Sequence, residues 1–317
     1  MMRILIGYDG SASAEAALSD LRRAGLPREA EAMVVSVADV MMAPPPSSYE
    51  FVGQALNSRI AASSSTQAQA QTARVLRGAQ EFAARACDRI RSFFPDWEVS
   101  AENPAGTPPW ELIRRADEWK ADLIVVGSHG RSVLGRLILG SVSKKVVTDS
   151  HRSVRVARGA VGKRDRLPPW VMIGVDGSSE AEGAVRAVGR RVWPEGTEVR
   201  IVAVDDGISP ARIAHVLPAA GALVGGRNEE SAVAARKMVE WAENELRAIG
   251  LGVSVIIEKG DPQRVLLEEA RKWDADSIFV GGRVFSGAIE RLRLGSVATA
   301  LVTKAHCSVE VVRGAMS

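Results

Sequence analysis

The chain has little cysteine, little histidine, few aromatic residues and no long apolar run, and each shortage removes a class of protein. Two cysteines in 317 residues, Cys87 and Cys307, cannot build a disulfide framework, and they stand at different places in the two halves of the sequence. That usage suits a reduced compartment, so a cytoplasmic location is expected. The four histidines, His129, His151, His215 and His306, are not spaced with cysteines or carboxylates as a zinc set requires, and no protein-held metal is expected. No apolar stretch nears the roughly 18 residues that span a bilayer, and the N-terminus enters an apolar segment with no signal-peptide pattern, so no membrane partner is expected. A dominant charge is lacking too. The 41 basic and 38 acidic residues leave a net charge of +3, interspersed along helical stretches, which predicts no nucleic-acid partner despite a pI near 9.0. Walker A and G-x-G-x-x-G strings are absent, which removes the main support for P-loop hydrolysis and dinucleotide redox chemistry. Ser141–Lys144 spells S-x-x-K, but without the S-D-N and K-T-G companions of serine β-lactamases.

What is present is a repeat. Arg3–Ser11 (RILIGYDGS) recurs as Val171–Ser178 (VMIGVDGS), so that Asp9 answers Asp176. Ser36–Asp39 recurs as Val202–Asp205, which matches Val37 with Ala203. Gly106, Pro108 and Ala121–Gly127 recur as Gly260, Pro262 and Ala275–Gly281, with Trp119 and Trp273 each three residues before an aspartate, Asp122 and Asp276. Leu139–Val142 recurs as Leu294–Val297. Each half alternates strands with helices, which predicts an α/β chain of two tandem doubly wound parallel five-stranded sheets. Strands are expected near 3–8, 33–38, 97–102, 122–127 and 153–157, then near 170–175, 198–204, 253–258, 276–281 and 308–312. The basic, proline-ended stretch 158–169 reads as a linker between domains at 1–157 and 170–317. The second crossover is longer in the first half, 63 positions from Asp39 to Glu102 against 53 from Asp205 to Glu258. Its Ala43–Ser48 polyproline run should be extended, and its Ala61–Thr72 run could lengthen a helix or form a loose surface insertion, a lid being the less favoured reading.

The chemistry lies in GSHGRSVLGRLILGSVSKK, from Gly127 to Lys145. It follows the apolar Leu123–Val126, which reads as a buried strand. Gly127 and Gly130 bracket a turn where backbone N–H groups can approach an anion, and Gly140 and Ser141 open a helix whose free N–H groups and dipole favour negative charge. His129 lies inside this loop, where contact with phosphate and a solvent-facing loop position are equally good accounts. Asp9, after the first strand, suits hydrogen bonds from ribose hydroxyls or an adenine amino group, and its plainer alternative is an N-cap for the helix near Ser11.

The spacing G-x2-G-x9-G-[S/T] after a fourth strand resembles the ATP-binding branch of the universal stress protein family. The resemblance implies an adenine nucleotide alpha hydrolase-like fold of strand order 3-2-1-4-5, with ligand beyond the carboxyl ends of strands 1 and 4. It implies ATP as cofactor, with Mg arriving on the nucleotide. The implied ligands are Asp9, Val37 through its backbone, Gly127, His129, Gly130, Arg131, Gly140, Ser141, Val142 and Ser143. Weaker second-half candidates are Asp176, Ala203, Gly282, Gly295 and Ser296. Counted back from Gly295 the second anchor glycine is Gly282, and counted from the strand it is Gly281; Phe285 or Val284 then replaces Gly130, and Ala298 replaces Ser143. One ATP per chain is therefore expected. The implied role is a nucleotide-dependent regulator in stress response more than an enzyme; a slow ATPase or self-phosphorylating activity at Ser141 or Ser143 is the alternative, and an AMP-type or non-nucleotide ligand a third. The resemblance also implies that the two halves pair through their last strands as an internal pseudo-dimer, alone or within a further homodimer. Antiparallel pairing would set Arg155 opposite Glu310, unless both are edge charges facing solvent.

Overall fold

The computed structural model describes residues 1–39, 58–129, 139–158, 168–205, 221–282 and 294–314, with side chains described from 70 in the second helix and from 233 in the sixth. The expected polyproline run, most of the linker, Gly130, Arg131, Val284 and Phe285 lie outside these residues.

The first half runs β1 (Met2–Gly7), α1 (Ala12–Asp20), β2 (Ala30–Val35), α2 (Ser58–Phe93), β3 (Glu98–Glu102), α3 (Pro108–Glu118), β4 (Leu123–Gly127), α4 (Ser141–Asp149) and β5 (Ser153–Ala157). The second repeats it as β6 (Trp170–Val175), α5 (Ser179–Gly189), β7 (Glu198–Asp205), α6 (Gly221–Ala248), β8 (Gly252–Lys259), α7 (Pro262–Lys272), β9 (Ser277–Gly281), α8 (Ser296–Lys304) and β10 (Ser308–Val312). The Ala61–Thr72 run is part of α2, so the extra length extends a helix. β2 starts and ends about three residues earlier than expected. Past Val35 the chain leaves regular pairing and keeps only an isolated bridge, Ala38 to Ala105, which puts Val37 just beyond the strand.

Each half has strand order 3-2-1-4-5, and the two are one ten-stranded sheet, β3-β2-β1-β4-β5-β10-β9-β6-β7-β8. All pairs inside a half are parallel, and β5 meets β10 antiparallel. Helices on both faces account for the apolar strands: Ile4, Leu5 and Ile6 are all fully buried although successive side chains point to opposite faces. On one face α3, α4, α7 and α8 share a single core that crosses the junction, including Leu112, Val146, Leu266 and Leu301. On the other face each half keeps its own, α1 with α2 and α5 with α6.

The junction is built from swapped polar contacts. After β5, Arg158 donates to the carbonyls of Val302 (2.6 Å) and Thr303 (3.2 Å) near the end of α8; after β10, Arg313 donates to Val147 O at 2.6 Å near the end of α4. Each half thus supplies a cation to the other half's last helix, where carbonyls and the dipole favour positive charge. The Ser308 hydroxyl accepts from Arg158 N (3.0 Å) as the Ser153 hydroxyl does from Arg313 N (3.0 Å). Arg155 stands opposite Glu310 in the register, 3.3 Å away. These are not solvent-facing edge charges, because both side chains are 1% exposed. Asp20 of α1 takes two further bonds from Arg155, at 2.6 and 3.1 Å, and Arg191 pairs with Glu310. Burial opposes the charge on Arg155, but the Asp20 and Glu310 carboxylates outweigh it and hold the guanidinium more firmly protonated than usual.

Cys307, fully buried at the foot of β10, has its thiol pushed up to about 12 by loss of solvation. The unfolded thiol ionises from about pH 9 and the folded one does not, so this residue's stabilising contribution is complete below pH 9 and is lost as pH rises toward 12. The native chain at pH 8 should leave Cys307 unalkylated by iodoacetamide until denaturant is added. Rapid labelling without denaturant would contradict its sealed position.

Candidate functional site

β1 and β4 are parallel neighbours, so the turn after β1 and the loop after β4 open on the same edge of the sheet. In the first turn Ser11 is the N-cap of α1, its hydroxyl accepting from Ala14 N at 3.1 Å. Asp9 is therefore not the cap. Its Oδ1 accepts from Ser11 N at 3.0 Å, an Asx turn that fixes the carboxylate at the strand end, half-buried.

The β4 side is tied to that turn through Ser13, the second residue of α1. Its hydroxyl accepts from His129 N at 3.2 Å and lies 3.4 Å from Ser128 Oγ, which in turn lies 3.0 Å from His129 Nδ1. His129 is thus held by Ser128 and Ser13 and is half-buried rather than facing solvent. The glycine at 127 has a packing reason: a Cβ there would lie 2.7 Å from both the carbonyl and hydroxyl oxygens of Ser13. Close approach of α1 to β4 by itself requires glycine here.

α4 begins at Gly140, whose backbone is extended (φ −64°, ψ 153°) and whose N–H donates to Ser128 O at 2.7 Å. No side chain among the described residues caps this helix, whereas α1, α5 and α7 are capped by Ser11, Ser178 and Asp261. Among the described residues, its first-turn N–H groups therefore have no side-chain acceptor. Ser141 is exposed, and Val142 packs partly on the core. Ser143 is buried and donates to Gly127 O at 2.6 Å, stitching the helix to the strand end. Ser143→Ala should cost about 1 kcal/mol for that bond. An unchanged urea midpoint would show that the bond contributes nothing.

The second half repeats this frame with changes. Ser178 caps α5 and Asp176 accepts from Ser178 N at 3.1 Å. Gly295 starts α8 with no described side-chain cap, and Ser296 is exposed. Two expected counterparts need correction. Gly281, not Gly282, answers Gly127: it ends β9 as Gly127 ends β4, and a Cβ there would meet Glu180 backbone at 2.4 Å, as at Gly127 it would meet Ser13. Gly282 spends its N–H on Val312 O at 2.8 Å. The loop from Gly281 to Gly295 is thus one residue longer than that from Gly127 to Gly140. Val204, not Ala203, answers Val37. The registers Gly7–Val35 and Gly174–Val202 fix this, and Gly106 N to Ala38 O (3.0 Å) matches Gly260 N to Asp205 O (2.9 Å). Ala203 belongs to the α5/α6 core, while Val37 and Val204 both pack toward the shared core. A one-residue slip along a strand turns the side chain to the opposite face.

Sequence reasoning missed Ser13 and Ser128. The signal was there in Ser11-Ala12-Ser13 at a helix start and in Ser128 beside the first loop glycine. Only the fold, however, brings two residues 115 positions apart into contact.

Comparison with protein families matches the universal stress protein family over residues 1–158 and again over 170–313. A universal stress protein of Mycolicibacterium smegmatis is 28% identical over 318 residues, covering 98% of this chain and 96% of that protein. Universal stress protein MJ0531 of Methanocaldococcus jannaschii is 33% identical over only 75 residues, 23% of this chain and 44% of its own length. Among solved structures, a universal stress protein from Archaeoglobus fulgidus superposes with a TM-score of 0.58 at 22% identity, covering 98% of both chains, which is a likeness of fold. With both halves matched, the chain belongs to the universal stress protein family and carries its domain twice in tandem.

Proposed function

We propose that the first half binds ATP across the carboxyl ends of β1 and β4, and that the chain acts as a nucleotide-dependent regulator in a cytoplasmic stress response. The observation that carries this reading is the N-terminus of α4. It has no side-chain cap among the described residues, is fixed to the β4 end by Gly140 and Ser143, and shares an edge of the sheet with the Asp9 carboxylate. An uncapped helix start attracts phosphate, and a carboxylate across the crevice recognises ribose or adenine donors, which together fit a nucleoside polyphosphate. In this reading Gly127, His129, Gly130, Arg131, Gly140, Ser141, Val142 and Ser143 line the phosphates, Asp9 takes the sugar or base, and Val37 offers backbone. A divalent cation such as Mg comes with the nucleotide. The proposed domains are 1–157 and 170–317, joined by 158–169.

Gly130→Val tests the loop, since a bulky side chain there would obstruct phosphate and oppose any left-handed backbone. ATP affinity should fall roughly tenfold or more. Unchanged affinity by calorimetry would defeat the assignment of this loop. Slow hydrolysis or self-phosphorylation is the second reading, and it now favours Ser141: that hydroxyl is exposed, whereas Ser143 is buried and donates its proton to Gly127 O. Turnover of radiolabelled ATP by wild type and Ser141→Ala separates the readings, and a rate equal to the protein-free blank removes the second.

A further inference from the structure

The two halves bring the same strand ends and helix starts together, and one of the differences between them lies beside the proposed phosphate loop. In the first half this is Ser13, whose hydroxyl accepts from His129 N at 3.2 Å and stands 2.7 Å from where a Gly127 Cβ would be. Counting from the capping serines, Ser11 and Ser178, its counterpart is Glu180, also second in its helix. The correspondence is spatial as well, because Glu180 backbone lies 2.4 and 2.5 Å, and its Cβ 2.6 Å, from where a Gly281 Cβ would be. A short neutral hydroxyl in one half is thus a carboxylate in the other, rooted at the same place beside the end of the strand.

We infer that position 13/180 sets the charge of ligand each half accepts: Ser13 admits a polyphosphate to the first crevice and Glu180 excludes one from the second. This rests on the nucleotide reading of the first half. Glu180 is half-buried, and its carboxylate accepts from the neutral hydroxyl of exposed Ser179 at 3.2 Å. The next acid in the same turn, Glu182, is matched by Arg186 at 2.7 Å. In the first half the corresponding Glu15 accepts from Tyr8, while Ser13 is uncharged. Asp176 is exposed two residues before the cap, so a phosphate chain entering the second crevice meets Glu180 in addition to the aspartate that both halves share. Like charges a few ångströms apart in a partly desolvated crevice weaken binding by about tenfold or more. Ser13 adds no charge at the corresponding place, its buried hydroxyl being turned to His129 N and Ser128.

The test is ATP titration of the full chain by calorimetry, with folding followed by circular dichroism. Wild type should bind one ATP; Ser13→Glu should lose at least about tenfold in affinity while Ser13→Ala stays within about threefold. Because Ser13 is buried, Ser13→Glu could fail to fold. Glu180→Ser, made in the Gly130→Val background, then decides from the other side: residual ATP binding should rise at least about tenfold over that background. A folded Ser13→Glu that binds like wild type, or a Glu180→Ser change that raises nothing, overturns the inference while leaving the first site intact. A wild type that binds no ATP overturns the nucleotide reading and this inference together.

Discussion

Arg155→Ala is expected to destabilise the chain by about 3–5 kcal/mol, which is the cost of leaving buried carboxylates without their cation. The sequence pairing of Arg155 with Glu310 suggested an exposed cross-strand contact worth roughly 0.2–1 kcal/mol. Burial changes that estimate. The pair sits in a four-member cluster, Asp20–Arg155–Glu310–Arg191, whose formal charges cancel and whose members are at most 7% exposed in their side chains. Ser308 also donates to Asp20 at 2.7 Å, and the Phe279 ring lies 5.0 and 6.0 Å from the Arg191 and Arg155 guanidinium groups. Removing Arg155 leaves buried Asp20 without its cation, with only the Ser308 hydroxyl described as donating to it, and takes from Glu310 one of its two arginines. Exchanging the charges, Arg155→Glu with Glu310→Arg, should not restore stability, because the new glutamate would face Asp20 and the new arginine would face Arg191. Arg155→Met with Asp20→Asn should cost less than the sum of the single changes, since the two share one network. Urea unfolding measures all three. A loss below about 1 kcal/mol for Arg155→Ala, or full recovery on charge exchange, would show that the cluster does not hold the halves together.

Gly127→Ala should be the next most damaging change, costing about 1–3 kcal/mol of stability and roughly tenfold or more in ATP affinity. A methyl at that Cβ position would stand 2.7 Å from Ser13 O and 2.8 Å from its carbonyl carbon, and backbone atoms yield only if α1 moves. Moving α1 carries Asp9, Ser11 and Ser13 away from the β4 loop, so one methyl disturbs both walls of the proposed crevice. Gly281→Ala, with 2.4 Å to Glu180 backbone, should cost at least as much stability and leave ATP binding in the first half unchanged. Equal losses of ATP affinity from the two variants would contradict the assignment of the nucleotide to one half.

The fold was readable because its signals are local or repeated. Apolar strands such as Leu123–Val126, glycines at strand ends and two copies of one string point to a doubly wound α/β chain, and the antiparallel meeting of β5 and β10 is the pairing that the family resemblance implied. What the sequence hid depends on register or on distance. Ala203 stood in for Val204 because a string match has no strand register, and the hydrogen bonds at Gly106 and Gly260 supply one. Gly282 stood in for Gly281 because counting backward crosses a loop that is one residue longer. Asp20 and Arg191 joined the Arg155–Glu310 pair unannounced, since no pattern relates the end of α1 to the turn after α5. At Gly127 the string suggests an anion cradle, and three-dimensional packing against Ser13 adds a reason for the missing side chain that the string does not show.

Titrating the whole chain with ATP in an isothermal calorimeter tests the central claim most directly. The account predicts saturation at one ATP per chain, with the affinity carried by the first half. No binding at all, or two ATP per chain at similar affinities, would contradict it.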